Sequence, residues 1–346
     1  MTYDLVIGDR AYSSWSLRGW LLFDAFGIPV KTHSARLYTE ELPALLKDYF
    51  PARTAPTMRT PEGSVVPETI AIAEELATRH PEAGLWPQDP HARAAARGLA
   101  AEMHAGFSAL RNHCPMNLRV SYTDCQPPEA VLADIARLDV LWSWARETTG
   151  STTPWLCGAY SAADAFFAPV ATRIATYNLP VSPQMMLYVN AHLSHPSFRR
   201  WRAMGQIDGA DQDFYRRDYP RRDWPGPVPL PARAVDCADT VNQACPYSGK
   251  PVTHALELYG RRFGFCNAFC RDKTLADAEA WPKFMALYHS DGDRTGAHAS
   301  AVHLFPNIPG EARPSRLRAL RAQRRDTRLA RNALIFIAAP TGWRTT

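Results

Sequence analysis

The chain has 346 residues, 46% of them apolar and 21% charged, enough for two domains and a small third unit. No apolar run approaches the ~20 residues of a membrane span. The start, Met-Thr-Tyr-Asp-Leu, has no basic n-region and no long apolar core, so neither a membrane anchor nor a signal peptide is expected. The net charge of +5 is local. Residues 313–331 hold eight arginines, which with Glu311 and Asp326 supply +6 and leave the remainder near −1. A nearly neutral body gives no case for nucleic-acid binding. The seven cysteines are an odd count. The expectation is a cytoplasmic protein without a disulfide framework.

In chain order, Tyr3 to Ile7 is a short apolar run expected as a buried strand, and residues 19–26 carry apolar side chains at helical spacing. Between them stands Tyr12-Ser13-Ser14-Trp15-Ser16-Leu17-Arg18, a hydroxyl cluster where a strand hands over to a helix. The first N–H groups of a helix lack intrahelical partners and the dipole is positive at that end, so a thiolate held there is stabilised. A serine there also serves as an ordinary N-cap. Gly27-Ile28-Pro29-Val30 stops the helix and begins a strand-like segment to Leu37, and Thr39-Glu40-Glu41 opens a helix that ends near Phe50-Pro51. Ala55-Pro56-Thr57-Met58 reads as extended. Ser64-Val65-Val66 is the second arm of a hairpin turning at Pro61-Glu62-Gly63. Pro67-Glu68-Thr69 leads into a helix over residues 70–80. The order βαβ then ββα predicts a thioredoxin-like α/β domain over residues 1–82.

These residues resemble a glutathione transferase, and the resemblance covers residues 1–210. Ser13-Ser14-Trp15-Ser16-Leu17-Arg18 is similar to the zeta-like Ser-Ser-Cys-Ser-x-Arg motif. Ala55-Pro56 falls where that family has Val-Pro with a cis peptide. Glu68-Thr69 falls where it has Glu-Ser, ahead of a helix resembling Leu-Ala-Ile-x-x-Tyr-Leu. The resemblance implies glutathione lying extended along Ala55 and Pro56. A cis proline exposes the preceding backbone for such pairing. The γ-glutamyl end would be received by Glu68 (its ammonium) and Thr69 (its carboxylate). It implies Ser13, then Ser14, as donor to the thiol, with Arg18 ordering the turn or adding positive potential. Trp15 replaces the motif's cysteine, so no cysteine chemistry is expected there. Thr54 stands where a basic residue often precedes the cis-Pro dipeptide, leaving Arg53 or Lys47 for the glycine carboxylate. Singly, Pro56 also reads as a proline opening a strand, and Glu68-Thr69 as a helix cap.

Residues 91–210 are read as an all-helical domain, with a polar interruption at 121–128 between two long helices. Ser161-Ala162-Ala163-Asp164 has the form of a capping box, with a role in folding. His104, Ser108 and Arg111 are spaced to lie near one helix face. In the family this region forms the electrophile pocket, and a packing face is the competing reading. Cys114 and Cys157 read as buried small residues.

Residues 211–239 are a Pro/Arg-rich linker. Residues 240–287 carry Cys245-Pro246-Tyr247-Ser248, a hairpin through Leu256 to Phe265, Cys266-Asn267-Ala268-Phe269-Cys270, and a helix from Leu275. This small α+β unit is similar to metal-binding modules of the YHS type. Two cysteine arms joined by a hairpin suit zinc. With Ser248 in place of a second cysteine, the implied ligands are Cys245, Cys266 and Cys270, with His254, Cys237 or Asp272 to complete the set. A degenerate module held by packing is the alternative. Residues 288–346 read as a basic, disordered tail. As a whole, the resemblance implies a homodimeric glutathione transferase of the detoxification kind acting on a small electrophile. A glutathione-dependent isomerase of the maleylacetoacetate type and a non-catalytic partner-binding scaffold are the alternatives.

Overall fold

The computed structural model describes residues 2–295. Its first sheet has the order β2-β1-β3-β4. β1 (Tyr3–Ile7) lies inside it, with Leu5, Val6 and Ile7 fully buried. A strand apolar at consecutive positions is one covered on both faces. β2 (Val30–Ser34) runs parallel to β1, Leu5 opposite Thr32. A parallel pair needs a crossover, and α1 (Ser14–Asp24) supplies it. β3 (Thr57–Arg59) is antiparallel to β1, Leu5 opposite Met58, and β4 (Val65–Pro67) is antiparallel to β3. α2 (Glu41–Leu46) and α3 (Thr69–Arg79) complete the thioredoxin-like α/β arrangement. One glycine is essential to its packing. A Cβ on Gly19 would lie 2.7 Å from Pro56 Cγ and 3.8 Å from Thr69 Cγ2. The bare backbone lets α1 meet the Pro56 loop and the start of α3 at one point.

The helical part comprises α4 (Pro90–Ala105), α5 (Ser108–His113), α6 (Glu129–Thr149), α7 (Ala162–Tyr177), α8 (Pro183–Ser194) and α9 (Pro196–Ile207). β5 (Ser121–Tyr122) interrupts it. Every residue of α7 is buried. A helix that is apolar nearly all round belongs in the middle of a bundle, and α7 packs on α1, α4 and α8. Its capping box forms as the sequence indicates. The helix expected to run on from residue 91 to 120 instead ends at Ala105. Gly106 follows, and Phe107 takes a left-handed φ of 59°.

β6 (Arg221–Arg222) pairs with β5. β7 (Ala232–Val235), β8 (His254–Leu258) and β9 (Arg261–Phe265) form an antiparallel sheet. The stretch read as a linker thus supplies two strands. Tyr259 and Gly260, at φ 50° and 75°, make the β8–β9 turn, the left-handed pair a two-residue hairpin requires. α10 (Ala268–Ala276) begins seven residues before the expected Leu275, because the Asn267 side chain caps the Cys270 N–H at 2.8 Å. α11 (Pro282–Thr295) follows. Arg199 on α9 pairs with Asp277 at 2.7 Å, tying this unit to the helices. The described residues contain no helix long and apolar enough to cross a membrane. Most of the arginine-rich tail, residues 296–346, lies outside the described residues.

Candidate functional site

The β1–α1 turn places three serines differently. Ser13 is the N-cap of α1. Its Oγ accepts from the Ser16 N–H at 3.3 Å and donates to Ser16 Oγ at 2.8 Å. Ser16 Oγ also accepts from the Gly8 N–H at 2.9 Å. The Ser13 proton is therefore committed inside the turn. Ser14 Oγ accepts from Arg173 Nη2 at 3.4 Å, and no acceptor for its own proton is present among the described residues. Burial pushes the Arg173 pKa down to about 10, so the guanidinium stays charged at neutral pH. It makes the Ser14 oxygen an acceptor and leaves the Ser14 O–H as the donor still to be used.

Arg18 is 0% exposed. Its Nε donates to the Phe166 carbonyl of α7 at 2.9 Å, and its guanidinium carbon lies 4.4 Å from the Trp15 ring centre. Nη1 and Nη2 have no hydrogen-bond partner among the described residues. Burial, with Arg173 and Arg111 adding to it, holds the Arg18 pKa well below its usual value. Arg18 joins α1 to α7 and sits behind the turn rather than at its surface.

Opposite the turn, the Ala55-Pro56 peptide is cis, as the resemblance implies. Glu68, directly ahead of α3, has φ 69° and ψ 128°. A non-glycine residue held there stores about 1–3 kcal/mol, and such strain gathers at binding sites. Glu68 Oε2 is 3.6 Å from His104 Nε2, and Thr69 Oγ1 is 3.5 Å from His104 Nδ1. The His104 ring meets Trp15 edge-on at 5.0 Å. Arg111 lies 5.4 Å from the Trp15 ring centre and donates to the His104 carbonyl at 3.3 Å. Burial lowers the His104 pKa, Glu68 opposes this, and Arg18 and Arg111 reinforce it.

The structure therefore brings His104 and Arg111 together around Trp15 and beside Glu68 and Thr69. They do not share one helix face, because the break at Phe107 puts them on α4 and α5. Ser108 is exposed at the start of α5 and stands apart. Arg53 is exposed and makes no ion pair among the described residues. Trp15 and Arg173 were not expected as site residues. For Arg173 the available signal was a lone charge deep in an apolar helix. A cleft of about 330 Å³ lined by Pro87, Asp89, Thr149, Cys157 and Ser161 contains none of these residues.

The serine turn, the cis-proline loop and the strained start of α3 all fall within one matched stretch. Residues 12–79 match the family described as Glutathione S-transferase, N-terminal domain. A probable maleylacetoacetate isomerase of Caenorhabditis elegans is 35% identical over 103 residues, which is 30% of this chain and 47% of that protein. The chain thus spans about half the length of the curated relative it matches. A Burkholderia glutathione transferase homolog solved with bound glutathione is 21% identical, with a TM-score of 0.46 over 60% of this chain and 99% of that one. A maleylacetoacetate isomerase from Anaeromyxobacter dehalogenans, solved with glutathione in its active site, is 24% identical, with a TM-score of 0.44 over 58% of this chain and 94% of that one.

Beyond the glutathione S-transferase-like part, Cys245, Cys266 and Cys270 converge. Their sulfurs lie within 4.8 Å of one another, and those of Cys266 and Cys270 are 3.9 Å apart. Burial pushes the Cys245 thiol up, but N–H groups of Cys266, Tyr247 and Ser248 donate to it and bring it down to about 7. Burial and the neighbouring Cys245 push Cys270 up to about 12. Ser248 Oγ donates to Cys266 Sγ at 3.2 Å. None of the residues named to complete the set joins it. His254 Nδ1 bonds Thr253 at 2.9 Å, Asp272 pairs with Arg271 at 2.6 Å, and Cys237 is exposed. All seven cysteines are free.

Proposed function

We propose that this protein binds glutathione and activates its thiol for reaction with a small electrophile. The observation that carries the reading is the meeting of α1, the Pro56 loop and Thr69 at Gly19. Glutathione lies extended along Ala55 and Pro56, its γ-glutamyl ammonium toward Glu68 and its carboxylate toward Thr69 at the start of α3. Arg53 is the nearest cation in sequence for the glycine carboxylate. The thiol reaches the N-terminus of α1. A free thiol titrates near ~8.5. The helix dipole, the charge of Arg173 behind Ser14 and a hydrogen bond from the Ser14 hydroxyl favour the thiolate. We assign that hydroxyl to Ser14 rather than Ser13, because the Ser13 proton is committed to Ser16.

In the reaction, the thiol proton leaves to solvent and the sulfur lone pair attacks the electrophilic carbon. In a transferase the new C–S bond stays and a leaving group departs with its electron pair. In an isomerase the attack displaces the π pair of a conjugated double bond onto the electrophile's carbonyl oxygen, rotation follows about the resulting single bond, and the returning pair re-forms the double bond and expels the thiolate. Trp15, His104 and Arg111 form the wall on which the electrophile rests. The similarity to a probable maleylacetoacetate isomerase favours including the isomerase outcome. The protein is read as a homodimer.

Titration calorimetry with glutathione, and turnover of a panel of electrophiles by wild type and Ser14→Ala, test the reading. Millimolar binding with Ser14-dependent turnover is expected. No binding at millimolar glutathione would sink it, and binding without turnover would favour a scaffold.

A second reading concerns the cysteine cluster. A Zn–S length of about 2.3 Å puts tetrahedral sulfurs about 3.8 Å apart, close to the 3.9 Å between Cys266 and Cys270. We read Cys245, Cys266 and Cys270 as holding one zinc ion, which ties the hairpin to α10. Elemental analysis of wild type against Cys266→Ser tests this: about one zinc per chain is expected, lost in the variant.

A further inference from the structure

The fourth side of the cysteine cluster is taken by an oxygen. The Ser248 hydroxyl lies 3.2 Å from Cys266 Sγ and also faces the Cys245 sulfur. A tetrahedron with a Zn–S length of about 2.3 Å and a Zn–O length of about 2.0 Å sets sulfur and oxygen about 3.5 Å apart. The Ser248 oxygen therefore stands close to where a fourth vertex must fall. The local backbone holds it there. The Lys250 N–H donates to Ser248 Oγ at 3.3 Å, and the Gly249 N–H closes the turn on the Cys245 carbonyl at 2.9 Å. The neighbouring amide is committed elsewhere. Asn267 Oδ1 accepts from the Cys270 N–H at 2.8 Å, and its amide nitrogen, a donor, lies 3.5 Å from Cys266 Sγ. Among the described residues no other cysteine, histidine, aspartate or glutamate places a ligand atom with the three sulfurs.

We propose that Ser248 Oγ is the fourth protein ligand, so that the site is a closed set of three sulfurs and one hydroxyl oxygen. The proposal rests on the reading of the cluster as a zinc site. Charge explains why a neutral donor suffices. Three thiolates and one Zn²⁺ sum to about −1, and a fourth thiolate would make about −2. The same unit supplies a cation, Lys273, three residues after Cys270 on α10. Its Nζ lies 4.0 Å and 3.9 Å from the ring centres of Tyr247 and Trp281, and Tyr247 belongs to the Cys245–Ser248 arm. One ammonium balances the three-thiolate set. A closed set leaves no position for substrate, so the site is structural: it fastens the Cys245–Ser248 arm to the end of β9 and the start of α10.

The test uses the full chain loaded with cobalt(II) in place of zinc and titrated with imidazole. A protein ligand at the fourth vertex excludes imidazole, whereas a bound water yields to it. The wild-type spectrum should therefore stay unchanged, and that of Ser248→Ala should shift. Ser248→Cys should raise the sulfur-to-cobalt charge-transfer band by about a third, from three thiolates to four. Failure to bind cobalt or zinc would overturn both the metal reading and this inference. With metal bound, three results would each overturn this inference alone: a wild-type spectrum that responds to imidazole, a Ser248→Ala spectrum that does not, or an unchanged band in Ser248→Cys.

Discussion

Among the helices that begin with serine caps, α1 and α7 are finished differently. At α7 the capping box is closed. Asp164 accepts from the Ser161 N–H at 2.8 Å, the Ser161 hydroxyl at 3.0 Å, the Leu156 N–H at 3.2 Å and the Tyr188 hydroxyl at 2.8 Å, all in a buried setting. At α1 the network is left open. The Ser14 proton has no acceptor among the described residues, two Arg18 nitrogens are unpartnered, and Glu68 nearby is strained. A closed cap serves folding. An open one, with a donor and positive charge at a helix N-terminus, is the feature on which the proposed thiol site rests.

The sharpest way to break the comparison is at Asp164. Asp164→Ala strands four buried donors, and a loss of roughly 3–5 kcal/mol is expected in chemical denaturation. A loss under about 1 kcal/mol would mean that the α7 cap is not the scaffold element argued here.

Next in size is acid. His192 and His195 pack against Trp155, at 5.2 Å and 5.5 Å between ring centres. Burial lowers their pKa values to about 3 and about 4, from 6.5. Above pH 6.5 both states are neutral and the pair contributes no pH dependence. Below it the unfolded chain takes up protons that the folded one refuses, so stability falls as pH drops toward 4. From pH 6.5 to 5.5 the two together should cost about 2 kcal/mol. Denaturation curves at the two pH values measure this, and His192→Phe should remove about half of the slope.

At the open cap the expected effects move from stability to activity. Ser14→Ala should lower kcat/KM for glutathione-dependent turnover roughly tenfold, about 1.4 kcal/mol, with little change in the denaturation midpoint. Ser13→Ala should do the reverse: it removes the N-cap of α1, costs about 1 kcal/mol of stability, and affects turnover less. Equal activity losses in both variants would erase the distinction between the two serines.

Much of this was legible in the chain. The strand at Tyr3 to Ile7 and the α7 capping box are readable from local pattern, whereas the cis Ala55-Pro56 peptide and the trio of cysteines follow from the family resemblances. Where the reading missed, the cause was short-range chemistry overlooked or long-range contact unseen. Gly106 and the left-handed Phe107 end α4 where apolar periodicity continues, and the Asn267 cap starts α10 before its apolar pattern does.

By itself the sequence determined the order of strands and helices in the first eighty residues and which residue types stood at each turn, because periodicity, caps and turn residues act within a few positions. Tertiary structure alone decided how each polar group is used. Ser13 is committed locally, to Ser16 three residues on, whereas the Ser14 oxygen accepts from Arg173, 159 residues away along the chain. His254 and Asp272 bond their chain neighbours Thr253 and Arg271, and neither joins the cysteine cluster. Local pattern reaches a cap such as Ser13, but the meeting of Ser14 with Arg173 is made by packing and no pattern near either residue carries it.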